Sequence, residues 1–115
     1  MRYTRICKRS LKKAVKNKVF SLLGIANRGR NLVSGEFMTE KMVKSYKAHM
    51  VIVAEDASDN TKKMFYHMCE FYKVPYYVFG TKEELGHSLG KEMRASLAVT
   101  DQGLADAIKK QLQTV

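Results

Sequence analysis

Two cysteines, one proline and no long apolar run set the first limits on this 115-residue chain. Cys7 and Cys69 lie far apart, and neither has a second Cys or a His at metal-ligand spacing. No disulfide is expected, and a reducing, cytoplasmic setting fits that cysteine usage. No apolar run approaches the roughly 20 residues that span a bilayer, and the N-terminus is too charged for a secretory signal. No membrane partner is expected. His49, His67 and His87 lack metal spacing, and no Ser/His/Asp or Cys/His arrangement stands out. Glu55 and Asp56 form a carboxylate pair, but they sit where a helix opens, and capping explains them. The stretch from Gly86 to Lys91 has glycines too close together for a phosphate loop, and no Ser or Thr follows its Lys. No enzymatic chemistry, metal, cofactor or small-molecule substrate is therefore expected. Internal repeats and low-complexity linkers are also missing.

Acidic residues are missing from the first eighteen positions, and that absence shapes the charge. Arg2, Arg5, Lys8, Arg9, Lys12, Lys13, Lys16 and Lys18 all lie there. The whole chain carries 21 basic and 11 acidic residues, for a net of +10. Without those eight cations the remainder is only mildly basic. The charge thus points to a basic N-terminal extension over residues 1–15, adding sequence-independent attraction to phosphate. An upstream start codon or a poorly ordered leader is the alternative. Residues 16–115 form one domain, long enough for its own core.

Hydrophobic spacing gives the elements of that domain. Val15, Val19, Leu22, Leu23 and Ala26 recur at helical spacing, predicting a helix over about 16–28 that Gly29 ends. A short strand, a tight turn at Ser34-Gly35 and a second helix follow. On that helix Met38, Met42, Val43 and Tyr46 share an inward face, and Phe37, Lys41 and Lys44 share another. Met50-Val51-Ile52-Val53-Ala54 is a continuous, β-branched apolar run, as in a strand covered on both faces. A helix over about 59–72 is capped by Ser58 or Asp59 and buries Met64, Phe65, Met68, Cys69 and Tyr72. Pro75 can begin the next strand, Tyr76 to Phe79, but not interrupt it. Thr81 and Glu84 form a capping box for a short helix that stops at Gly86 or Gly90. A loop over 91–94 leads into the strand Ser96-Leu97-Ala98-Val99. Asp101 starts a last helix that buries Leu104, Ala105, Ile108 and Leu112. Helices alternating with strands imply an α/β protein with helices on both faces of one sheet.

Four segments carry a resemblance: LLGIANRGRNLVSGE, KAHMVIVAEDASDNTKK, VPYYVFGTKEELGHSLGK and AVTDQGLADAI. From about residue 18 to 112 the chain resembles the kink-turn RNA-binding ribosomal proteins. That group includes archaeal ribosomal protein L-seven-Ae and eukaryotic L-thirty-e, and the chain looks closest to its small bacterial YlxQ-type members. The resemblance implies a three-layer α/β/α sandwich with a four-stranded mixed sheet. It also implies an RNA site. In the family a turn glycine, a polar pair in the first helical turn and a nearby Lys meet the sheared G·A pairs of a kink-turn. An apolar loop before the last strand covers an extruded base. The matching positions here are Gly35, Phe37 with Met38, Lys41, and the loop of Glu92, Met93, Arg94 and Ala95.

At the polar pair this chain departs from the family pattern. Kink-turn readers place Asn-Glu or Lys-Gln there, whereas Phe37 and Met38 offer no side-chain hydrogen bond to a base edge. Binding through stacking, backbone N–H groups and lysines needs no such pair. The RNA-binding residues expected are Arg28, Arg30, Gly35, Glu36, Phe37, Lys41, Lys44, Lys91, Glu92, Met93 and Arg94. The leading expectation is a non-enzymatic ribosomal or ribosome-associated protein that binds structured, kink-turn-like RNA. One alternative is a protein-interaction module that kept the fold and uses exposed Phe37 as a protein contact. Another is an accessory domain presenting RNA to a modifying enzyme.

Overall fold

A computed structural model describes residues 13–112. The basic stretch before them, with Cys7, lies outside the described residues, as does the packing of the Val15 side chain. The elements are α1 (Lys13–Arg28), β1 (Leu32–Ser34), α2 (Glu36–Lys44), β2 (Met50–Val53), α3 (Asp59–Tyr72), β3 (Tyr76–Val78), α4 (Lys82–Ser88), β4 (Ser96–Val99) and α5 (Gln102–Leu112). The expected first helix therefore begins earlier, at Lys13.

The strands form one mixed sheet in the order β1-β4-β2-β3. β4 runs antiparallel to both β1 and β2, while β2 and β3 are parallel. Hence β1, β2 and β3 all point the same way. β2 and β4 are central, and all eight of their residues are buried. α2 and α3 pack together on one face, and α1 packs with α4 and α5 on the other. This is the three-layer α/β/α sandwich. Burying Val51 and Ile52 completely, on opposite faces of a central strand, requires helices on both sides.

The local signals act as their chemistry dictates. Ser58 Oγ accepts from the N–H of Thr61 and caps α3. Thr81 and Glu84 exchange both bonds of a capping box at α4. Asp101 Oδ2 accepts from the N–H of Leu104 and opens α5. Cys69 is buried on α3, and loss of water around its thiol pushes its pKa up to about 12. The short helix α4 passes through Gly86 and is finished by Gly90, at φ +68°.

One expectation fails, at a helix C-terminus. Tyr46 does not pack inward. The N–H groups of Tyr46 and Lys47 bond back to the carbonyls of Val43 and Met42, ending α2 a turn early. Tyr46 takes φ +62° and is 73% exposed, and Thr39 occupies the inward position beside Val43. α1 ends at Arg28, just before Gly29 as expected, and the left-handed residue beyond it is Arg30, at φ +62°. The N–H groups of Arg30 and Asn31 satisfy the carbonyls of Asn27 and Ala26 there.

Candidate nucleic-acid interface

The C-terminal ends of β1, β2 and β3 and the start of β4 lie along one rim of the sheet. That rim carries the Gly35 turn, the Ala54–Ser58 connection, Gly80 and the loop before β4. In open α/β sheets such a rim is the usual place for a ligand.

Gly35 sits between β1 and α2 with φ +94° and ψ +153°, a region that side chains rarely adopt. Its N–H donates to Ser96 O at 2.9 Å, which fixes the turn to β4. Its carbonyl accepts from Thr39 N and starts α2. A Cβ placed on Gly35 would meet nothing within 4 Å, so the outer side of the turn is open. No side chain caps α2. The N–H groups of its first turn, at Glu36, Phe37 and Met38, have no partner within the helix and point out at this rim. Glu36, in that same turn, partly offsets the helix dipole.

Phe37 stands 74% exposed one position into the helix. Lys41, one turn further, is exposed on the same face. Met38 is half-buried. The half of the notional polar pair that reaches solvent is therefore an aromatic ring.

The 91–94 loop is brought to this turn by contacts that no sequence spacing shows. The Lys91 N–H returns to Gly86 O at 2.9 Å, and Glu92 lies so close over Gly86 that a Cβ there would fall 2.0 Å from Glu92 O. The Arg94 N–H donates to Lys82 O. Arg94 Nε donates to Ser34 Oγ at 3.2 Å, and its Nη1 donates to Met93 O. Lys91, Glu92 and Met93 remain exposed, Met93 by 62%. Ser34, the residue that receives Arg94, is the one sequence reasoning missed. Its partner is 60 positions away, and a Ser before a Gly carries no signal of that contact.

Three expected residues are not part of this cluster. Arg28 and Arg30 precede β1, so the length of that strand, about 10 Å, separates them from Gly35. Lys44 ends α2, about 12 Å of helix away from Glu36. It is bound by Glu40 at 2.7 Å, and that hydrogen bond raises its pKa. The assembled set is Gly35, Glu36, Phe37 and Lys41 with Lys91, Glu92, Met93 and Arg94. Among the described residues no group of three or more His, Cys, Asp or Glu is placed to hold a metal ion. No helix there is long and apolar enough to cross a membrane.

Known proteins share this architecture. The chain is 47% identical over 89 residues to the RNA-binding protein YlxQ of Bacillus subtilis, covering 77% of this chain and 89% of that protein. It is 28% identical over 101 residues to the large ribosomal subunit protein eL8 of Thermoplasma volcanium, covering 85% of this chain and 82% of the other. The Giardia lamblia 15.5kD RNA binding protein has the same fold, with a TM-score of 0.74 at 21% identity over 90% of this chain and 89% of that one. Residues 17–109, from the middle of α1 to the last turns of α5, match a single family description. That match spans most of the chain: the chain belongs to the ribosomal protein L7Ae/L30e/S12e/Gadd45 family.

Proposed function

We propose that this protein is a non-enzymatic, ribosome- or RNA-associated protein whose Gly35 rim binds structured, kink-turn-like RNA. The observation that carries this reading is the joining of two chain segments at one open turn, with Arg94 on Ser34 beside Gly35. The backbone of a folded RNA approaches Gly35 without meeting a side chain. The first N–H groups of α2 face its phosphates or sheared base edges. Lys41 and Lys91 supply charge, Phe37 stacks on a base, and Met93 covers an extruded one. The bacterial relative is an RNA-binding protein and the archaeal one a large-subunit protein, which supports this class of partner. Phe37 and Met38 read no base edge, so recognition rests on RNA shape more than on hydrogen-bonded sequence readout.

The basic N-terminal residues add attraction to any RNA. Binding to a kink-turn hairpin and to a plain duplex, measured over a range of salt with and without residues 1–15, tests both parts. The expected result is a preference for the kink-turn that survives truncation, with a shallower salt dependence once the basic stretch is gone. Equal binding to both RNAs that vanishes on truncation would leave the Gly35 rim without an RNA role. The exposed Phe37 would then be a protein contact.

A further inference from the structure

The opposite rim of the sheet carries a second pattern. Three helices, α1, α2 and α3, deliver the chain to the starts of β1, β2 and β3, which all point the same way. Each of these connections passes through a left-handed residue, and none of the three is glycine: Arg30 at φ +62°, Tyr46 at φ +62° and Lys73 at φ +59°. Glycine adopts this conformation without cost, and bulky residues are found in it rarely. Here two long cations and a tyrosine occupy it along a single rim. With strands about 4.8 Å apart, the row from β1 to β3 spans about 14 Å.

The side chains along this rim are of two kinds. Tyr46, Tyr72 and Phe71 make one aromatic cluster, with ring centroids 5.2 Å apart for Tyr46 and Tyr72 and 4.9 Å for Phe71 and Tyr72. Tyr72 is half-buried beneath, whereas Tyr46 and Phe71 are 73% and 76% exposed. Arg28 and Arg30 before β1, Lys47 before β2 and Lys73 before β3 are exposed along the same rim. The acids nearby are fewer. Asp101, which follows β4 on this rim, directs its carboxylate to the N–H of Leu104, and Glu40 is held by Lys44. Glu70, next to Phe71, remains exposed. Open aromatic rings interleaved with cations form a stacking platform with phosphate contacts, the chemistry that takes unpaired nucleic acid.

We propose that this rim is a second RNA-binding surface, for an unpaired RNA strand. Its bases stack on Tyr46 and Phe71, and its phosphates are met by Arg30, Lys47 and Lys73. The proposal rests on the RNA-binding reading, but not on the Gly35 rim as the place where structured RNA sits.

The test uses the full chain and three probes: a blunt kink-turn hairpin, the same hairpin with a single-stranded uridine tail, and a uridine oligomer alone. The variant is Tyr46→Gly with Phe71→Ala. It removes both exposed rings and relaxes the left-handed turn, and a thermal melt matching wild type within a few degrees is expected to show the fold retained. The wild type should bind the tailed hairpin at least about fivefold more tightly than the blunt one. The variant should bind the two hairpins equally, and the free oligomer at least about fivefold more weakly than wild type does. If the wild type ignores the blunt hairpin yet binds the oligomer through Tyr46 and Phe71, the Gly35 reading fails and this one stands. A variant that keeps the full gain from the tail overturns the proposal. So does poly-glutamate binding as tightly as the oligomer with the same dependence on Tyr46, which would make the rim a seat for acidic protein segments.

Discussion

Arg94 Nε donates to Ser34 Oγ at 3.2 Å, and through that bond the loop before β4 is held against the turn after β1. The two residues flank the opening of the candidate interface. Gly35, next to Ser34, donates to Ser96 O, two residues beyond Arg94. A side-chain bond and a backbone bond thus close the same short circuit between β1 and β4. The first sets the loop's position, and the second sets the turn's.

Ser34→Ala removes the acceptor of that bond and leaves a partly buried guanidinium short of one partner. The expected loss of stability is about 1 kcal/mol or less, since Arg94 can turn to water. Amide exchange over residues 91–95 should speed up, while β2 stays protected. Affinity for a kink-turn hairpin should fall severalfold. Unchanged exchange in the loop would mean that Lys82 O and Gly86 O alone hold it.

Gly35 is required twice, by its backbone and by its open side. Gly35→Val forces a β-branched residue to φ +94°, at a cost of roughly 1–3 kcal/mol. No neighbouring atom clashes with the new Cβ, so the protein should fold and melt at a lower temperature. RNA binding should be lost outright, because the added side chain projects to where the RNA backbone approaches. A folded Gly35→Val variant that binds a kink-turn as wild type does would remove this turn from the interface.

Phe37 separates stacking from packing. At 74% exposure it contributes little to the core, and Phe37→Ala should change stability by no more than about 0.5 kcal/mol. If it stacks on a base, RNA affinity should drop by roughly 1–3 kcal/mol. Lys41→Ala should weaken binding as well, with a shallower salt dependence. The double change of Phe37→Asn with Met38→Glu restores a polar pair at the helix start, and Met38 is only half-buried. Binding of the folded double variant to a standard kink-turn should strengthen. No gain would mean that recognition has diverged at more than these two positions.

Cys69 gives a pH dependence with a defined sign. Its thiol titrates near 9.0 when solvated and near 12 in the folded chain, because burial disfavours the thiolate. Below pH 9 both states hold the proton, and this group leaves stability unaffected. Between the two values the unfolded state releases its proton first, so stability falls as pH rises. Denaturant midpoints followed upward through pH 9 should decline more steeply for wild type than for Cys69→Ala. In a Cys7→Ser background the folded protein should resist thiol alkylation, and the unfolded protein should not. Rapid alkylation without unfolding would contradict the burial of Cys69.

Local chemistry made most of the fold legible in the sequence. The Met50 to Ala54 run, the cap at Ser58, the capping box at Thr81 and Glu84 and the start at Asp101 act within a few residues of themselves. Their spacing therefore states their structure. Periodicity also gave Val43, Phe65, Cys69 and Ile108 their burial, because a helix face repeats whatever packs on it. What periodicity could not set was where a helix stops. Tyr46 continues the apolar spacing of α2, yet two backbone bonds to Val43 and Met42 end the helix before it and turn the ring to solvent. No side chain in the sequence announces those bonds.

The candidate site divides along the same line. Gly35, Phe37 and Lys41 are near neighbours on one turn and one helix face, so the sequence alone could group them. Adding the 91–94 loop depends on β4 lying between β1 and β2, on Gly86 admitting Glu92, and on Arg94 reaching Ser34. Separating Arg28, Arg30 and Lys44 from that group depends on the lengths of β1 and α2. Arg30 and Gly35 are near in sequence yet lie at opposite ends of β1, as Glu36 and Lys44 do on α2. Long-range pairing of strands, with its cost in chain entropy repaid only by the assembled core, decides which segments meet. The order of residues in the chain does not contain that decision in any local form.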